Sequence, residues 1–105
     1  MALLMCSSTT TYVVIFKAKV AQLDTQYSEM AARLRKLAFD KFGCSEFISL
    51  NEGDFEVALS YWPSLEHIQA WKKHSDHLIA QAMGQEKWYA SYTVEIAQIL
   101  RQYSK

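Results

Sequence analysis

The residues best equipped for chemistry crowd into one stretch, AWKKHSDHLIAQAMGQEKWY at positions 70–89. His74 and His77 lie three apart, Trp71 comes just before them, and Trp88-Tyr89 follows. On a helix the two histidines project from neighbouring positions and could offer two imidazoles to one ion. A divalent metal needs a third or fourth ligand. Asp76 points elsewhere on the same turn and neither Cys6 nor Cys44 is near in sequence, so no metal site is expected. An imidazole titrating near ~6.5 suits proton removal from a phenol or enol at neutral pH. His74 is therefore the first candidate general base and His77 the second. The competing reading makes both ordinary helix residues, with His77 solvated and His74 bonded to a backbone carbonyl at a helix break. His67, Lys72 and Lys73 read as a solvated face.

The aromatic residues carry a second question. Trp62 and Trp71 stand nine apart across a strand-to-helix joint, where an apolar cavity would open. Tyr12 and Phe16 on the first strand are candidate opposite walls, and Tyr92 on the last strand joins them as a candidate substrate contact. Such a cavity, poor in polar groups, fits a flat aromatic guest. The same rings could simply fill a small core, and Trp88 is assigned to core or dimer packing.

The elements that must position these residues follow from periodicity. TYVVIFKAKV at 11–20 has a strand's composition, apolar on both parities. Residues 24–42 switch to three- and four-residue apolar steps, an amphipathic helix capped by Asp24 or Thr25 and ended by Gly43. Two strands follow within residues 44–63, joined by a turn at Asn51-Glu52-Gly53-Asp54. Phe55, Val57, Leu59 and Tyr61 share one face of the second, whose other face is mixed. Pro63 stops it and Ser64 caps a second helix carrying Leu65, Ile68, Trp71, Ser75, Leu78 and Ala82. A bend is expected at His74 to Asp76, an end at Gly84, and a last strand through 87–100. The order βαββαβ predicts an α+β, ferredoxin-like domain: a four-stranded antiparallel sheet with both helices on one face. The other face, apolar on strands 1, 3 and 4, then needs a cover. A second copy burying roughly 2,000 Å² would supply it, which predicts a homodimer.

Composition removes several function classes. The 105 residues suffice for one domain with a single core, here residues 11–105 behind a leader at 1–10. Eleven Lys and Arg balance eleven Asp and Glu, so no basic footprint points to nucleic acid or an anionic membrane. No run approaches the ~20 apolar residues of a membrane span, and the opening lacks a secretion signal. Two cysteines in unrelated contexts argue against a zinc ribbon, redox motif or disulfide framework, and a cytoplasmic setting is expected. Phosphate-binding loops and a nucleophile elbow are absent.

One run carries a resemblance: Ser60-Tyr61-Trp62, Ser64, Glu66, Ile68, Ala70-Trp71-Lys72, His74, His77, Ala80, Gly84 and Trp88-Tyr89. Over roughly residues 11–99 the chain resembles the antibiotic biosynthesis monooxygenase (ABM) domain family of the dimeric α/β-barrel superfamily. The resemblance implies a homodimer with facing sheets, each protomer holding a pocket between sheet and helices. It also implies oxidation of a polycyclic phenol or quinol by O₂ without metal, flavin or other cofactor. Of the polyketide-oxidising members' residues Trp62 is kept, while their asparagine is Ala58 and their helix tyrosine Ile68. Of the haem-degrading branch's, Trp71 is kept, while the iron-ligating histidine is Gln81 and the first-strand asparagine Lys17. Three readings stand side by side: a cofactor-free monooxygenase acting on a small aromatic; a haem protein ligated by His74 or His77; and a non-catalytic dimeric binding module.

Overall fold

The computed structural model describes residues 11–21, 25–81 and 88–105, the side chains of 77–81 excepted. The expected leader at 1–10, Cys6, the capping candidate Asp24 and the helix-ending Gly84 lie outside the described residues. The elements run β1 (Thr11–Val20), α1 (Thr25–Lys41), β2 (Glu46–Glu52), β3 (Phe55–Trp62), α2 (Leu65–Gln81) and β4 (Tyr89–Ile99). The sheet order is β2-β3-β1-β4 with every pair antiparallel. This is the ferredoxin-like arrangement that the alternation of periods predicts.

Local chemistry explains the boundaries. Gly43, at a φ of 82°, adopts the left-handed turn that ends α1, and the Cys44 N–H reaches back to the Ala38 carbonyl at 3.0 Å. Gly53, at a φ of 61°, occupies the first position of a two-residue turn between Glu52 and Phe55, which pair directly. The Ser64 hydroxyl accepts the His67 N–H at 3.1 Å, capping α2 one residue after Pro63. The expected bend at His74 to Asp76 does not occur: α2 is continuous through Gln81. Ser75 turns its hydroxyl back to the Lys72 carbonyl at 3.1 Å, and Lys72 pairs with Asp76 at 2.8 Å, so the polar residues serve the helix.

Register sorts the strands into two faces, since side chains alternate and paired residues share a side. Tyr12, Val14, Phe16 and Ala18 pair with Trp62, Ser60, Ala58 and Glu56 of β3, and with Gln98, Ile96, Val94 and Tyr92 of β4. Both helices pack on this side. Its core is Ala38 of α1, Cys44, Trp62 and Ile68 of α2, flanked by Tyr12, Val14, Phe42, Phe47 and Trp71. On the opposite face lie Val13 and Ile15, Phe55, Val57, Leu59 and Tyr61, and Ile48 and Leu50 of β2. Leu50 is 61% exposed and Phe55 42%. One detail departs from expectation: the apolar residues of β4, Tyr92, Val94 and Ile96, face the helices, and β2 supplies the outer face instead. β4 turns Thr93 and Glu95 outward, with Glu95 held by Lys17 at 2.7 Å.

Candidate functional site

The sequence places only small side chains at the middle of the helix-facing side of β3, Ala58 and Ser60, which leave the space there unfilled. The result is a cavity of about 670 Å³ between the helices and the sheet, within the usual size of a small-molecule site. Phe16 of β1, Tyr27 and Leu34 of α1, Phe47 of β2, Trp71 of α2, and Tyr89, Tyr92, Val94 and Ile96 of β4 form its largely apolar wall. Tyr92, Val94 and Ile96 remain 41–49% exposed because they border this space. Glu56 and Ser60 are four residues apart on β3, so the floor runs about 13 Å along the strand.

At the hairpin end the wall changes character. Glu56 is only 8% exposed, and the Tyr27 hydroxyl donates to its Oε1 at 2.5 Å. Among the described residues no lysine, arginine or histidine lies within ion-pair distance of it. Aromatic rings surround this pole: Phe16 meets Tyr89 edge-on with centroids 5.3 Å apart and stacks with Tyr92 at 5.7 Å. Tyr27 meets Trp88 and Tyr89 edge-on at 5.3 and 6.0 Å. Burial, followed by the hydrogen bonds to Glu56 and Tyr89, pushes the Tyr27 hydroxyl far above the ordinary tyrosine range. Burial also raises Tyr89, against the opposing pull of its bond to Tyr27. Both phenols keep their protons at neutral pH, and Tyr27 donates its own to Glu56.

The cavity's cations are committed elsewhere. Arg35 donates to the Phe47 carbonyl at 2.9 Å with its guanidinium 5.4 Å from that ring's centroid, and Lys72 is paired to Asp76. A second, shallower depression of about 480 Å³ lies where β1 and β4 meet the hairpin, lined by residues such as Lys17, Lys19, Asp54 and Ser91. It holds no buried polar side chain, so the chemistry belongs to the larger cavity.

Of the site residues expected from sequence, Phe16, Trp71 and Tyr92 meet in this cavity. Trp62 and Tyr12 do not border it. Trp62 is fully buried behind the wall, its indole N–H donating to Ser60 Oγ at 2.8 Å and its ring 5.7 Å from that of Trp71. Tyr12 packs against the same core. His74 also stands apart, its ring 5.2 Å from Phe42, because it lies on the flank of α2 turned toward the end of α1. The His77 side chain lies outside the described residues. Among the described residues no group of three His, Cys, Asp or Glu side chains is placed to hold a metal ion. No described helix is long and apolar enough to cross a membrane. Cys44, 6% exposed, donates to the Glu46 carbonyl and its thiol is pushed up by burial, the opposite of an activated nucleophile.

Sequence reasoning gave Glu56 and Tyr27 no place in the site, and it noted Tyr89 beside Trp88 without assigning it a role. A signal did exist: Glu56, Ala58, Ser60 and Trp62 share the mixed parity of β3, where a carboxylate beside two small residues marks space with a charge at its end.

Comparison with known proteins places the chain. No protein-family model matches it. The uncharacterized protein YqjZ of Bacillus subtilis (strain 168) is 38% identical over 92 residues, spanning 87% of this chain and 81% of that protein. The chain belongs to the YqjZ family. Solved structures share the fold at lower identity. A variant of SnoaB, a cofactor-independent oxygenase from Streptomyces nogalater, superposes with a TM-score of 0.72 at 10% identity, covering 90% of this chain and 98% of that one. A Nitrosomonas europaea protein assigned to the antibiotic biosynthesis monooxygenases gives a TM-score of 0.68 at 18% identity, covering 91% and 96%. The fold of the ABM proteins is thus the fold of this chain.

Proposed function

We propose that the protein binds a flat, hydroxyl-bearing aromatic compound, of the quinol or polycyclic phenol type, and oxidises it with O₂ without a bound cofactor. The observation that carries this reading is the cavity itself, a largely apolar and aromatic slot of about 670 Å³ with Glu56, Tyr27 and Tyr89 at its hairpin end. Its fold is shared with SnoaB, a cofactor-independent oxygenase.

In the proposed reaction the hydroxyl proton leaves first, and the electron-rich ring anion passes one electron to O₂. The ring radical and superoxide combine, forming a carbon–oxygen bond at a ring carbon that still bears hydrogen. Protonation of the peroxide and loss of that hydrogen as a proton release water and leave a carbonyl. One O₂ is consumed; one oxygen enters the product and the other leaves as water. The aromatic wall of Phe16, Trp71 and Tyr92 would hold the ring flat, and its apolar surroundings raise the energy of the anion that must give up an electron.

A second copy of the chain is proposed to cover the outer face of Val13, Ile15, Ile48, Leu50, Val57 and Leu59, since so large an apolar surface on a small domain favours self-association. Sedimentation equilibrium would give a dimer mass at micromolar concentration; a folded monomer there refutes the pairing. The oxidation is tested by oxygen uptake with hydroquinones and anthrone-like phenols. Uptake with at least one compound, lost in Trp71→Ala, is the expected result. No uptake with any of them would overturn the oxygenase reading in favour of a binding module.

A further inference from the structure

We propose that Glu56 is the proton acceptor of this cavity, and that its ligand is therefore selected as a neutral hydroxyl donor rather than as an anion. The catalytic half of this assignment rests on the oxygenase reading; the selectivity half rests on the cavity alone.

Four features of the site converge on it. First, Glu56 borders the cavity while being only 8% exposed, so little of it meets bulk water. Second, no described cation neutralises it; a carboxylate withdrawn from water without a counter-charge is costly, and such groups concentrate at functional sites. Third, Tyr27 holds one of its oxygens at 2.5 Å, fixing the carboxylate's orientation. Tyr27 is thereby a positioning residue. Fourth, the rings of Phe16, Tyr89 and Tyr92 crowd this pole, so a guest's aromatic body can lie along the floor toward Trp71 with its hydroxyl at Glu56.

The step is a simple transfer: the O–H bond of the guest breaks, an O–H bond forms on Glu56, and the electron pair remains on the guest oxygen. The guest becomes the anion that O₂ can oxidise, and Glu56 becomes a neutral acid able to return the proton to the peroxide. The combined charge of guest and Glu56 is unchanged at −1 throughout, so a neutral guest is favoured over a preformed anion. An anion would set two like charges in one apolar space.

The test uses one scaffold in three forms: 1-naphthol, its methyl ether, and 4-nitro-1-naphthol at a pH where it is an anion. Calorimetric titration of the wild-type protein is expected to show naphthol binding at least tenfold tighter than either other form. In Glu56→Gln, close to isosteric, the nitronaphtholate should gain at least tenfold while naphthol changes little, an inversion that mere loosening of structure would not produce. With a substrate that the wild type oxidises, Glu56→Gln should lose about 100-fold in kcat with KM within a few-fold, the usual worth of a general base. Wild-type uptake retained in Glu56→Gln removes Glu56 from the mechanism and leaves the oxygenase reading intact. If the wild type consumes no O₂, the oxygenase reading fails and the binding order alone judges the selectivity. Should Glu56→Gln not fold, equal wild-type affinity for naphthol, ether and anion overturns the proposal without it.

Discussion

Trp62 offers the sharpest test of how this interior is built, because it is fully buried and its one polar atom has one described partner. Replacing Ser60 by Ala deletes the oxygen that accepts the Trp62 indole N–H at 2.8 Å, in a place where Ser60 is itself 5% exposed. A buried donor stripped of its acceptor costs about 1–3 kcal/mol, and the lost hydroxyl contributes little apolar contact to offset it, so about 2 kcal/mol is expected. Trp62→Phe removes the donor together with part of the ring's packing, and is costly for the second reason. Once the donor is gone, Ser60→Ala strands nothing. In the Trp62→Phe background it should cost less than about 0.5 kcal/mol, giving a coupling of about 1.5 kcal/mol. Urea unfolding of the four proteins at one fixed protein concentration measures this. With an m-value of about 1–3 kcal/mol/M, Ser60→Ala alone should lower the midpoint by about 1 M. Equal losses from Ser60→Ala in both backgrounds would refute the claim that this hydrogen bond satisfies the buried indole.

Three further outcomes are expected. Trp71→Ala should weaken naphthol binding at least tenfold by calorimetry, while Trp62→Phe, altering a residue behind the wall, leaves the affinity within threefold. Gly43→Ala should cost more than about 1 kcal/mol in urea unfolding, since a side chain at a φ of 82° is strained and its Cβ would sit 2.9 Å from the His67 ring. In a Cys6→Ser background Cys44 should react with a thiol reagent at least 100-fold more slowly when folded than when unfolded. Because burial raises the thiol in the folded state only, the unfolded chain loses its proton first as pH climbs. The stability held below the ordinary thiol range is then lost above it, by the standard linkage sign.

Much of the architecture was legible because each element shows its own period and its own stop. The β-branched and aromatic composition of β1, the three-and-four spacing of Tyr27, Met30, Leu34, Leu37 and Ala38 in α1, and the glycines at 43 and 53 act locally, so neighbours along the chain carry the information. Ser75 shows where that logic misleads. A polar residue in an apolar stripe reads as a break, yet its hydroxyl can bond its own helix and leave the run unbroken. The parities of β4 were harder for another reason: apolar residues there serve the cavity, not the outer face, and only pairing with β1 decides which side they take.

The site was less legible than the fold. Trp62 and Trp71 look alike as aromatic residues near one joint, but one is sealed inside and the other borders open space. His74 and His77 drew attention by type and spacing, whereas Glu56, one charge on the mixed face of a hairpin strand, drew none. Whether a side chain meets a cavity depends on distant residues being small or large. Here Ala58 and Ser60 leave the room, and Tyr27, 29 positions before Glu56, reaches across to hold its carboxylate.

The amino-acid order alone determined the succession of strands and helices, the stops at Gly43, Gly53 and Pro63, and the ferredoxin-like layering. These depend on backbone preferences and on periodicity, both properties of short segments. Tertiary structure alone decided which aromatic residues enclose empty space, and that an acid without a described counter-ion stands at its end. Those facts arise where α1, β1, β3 and β4 converge, from contacts between residues far apart in the chain.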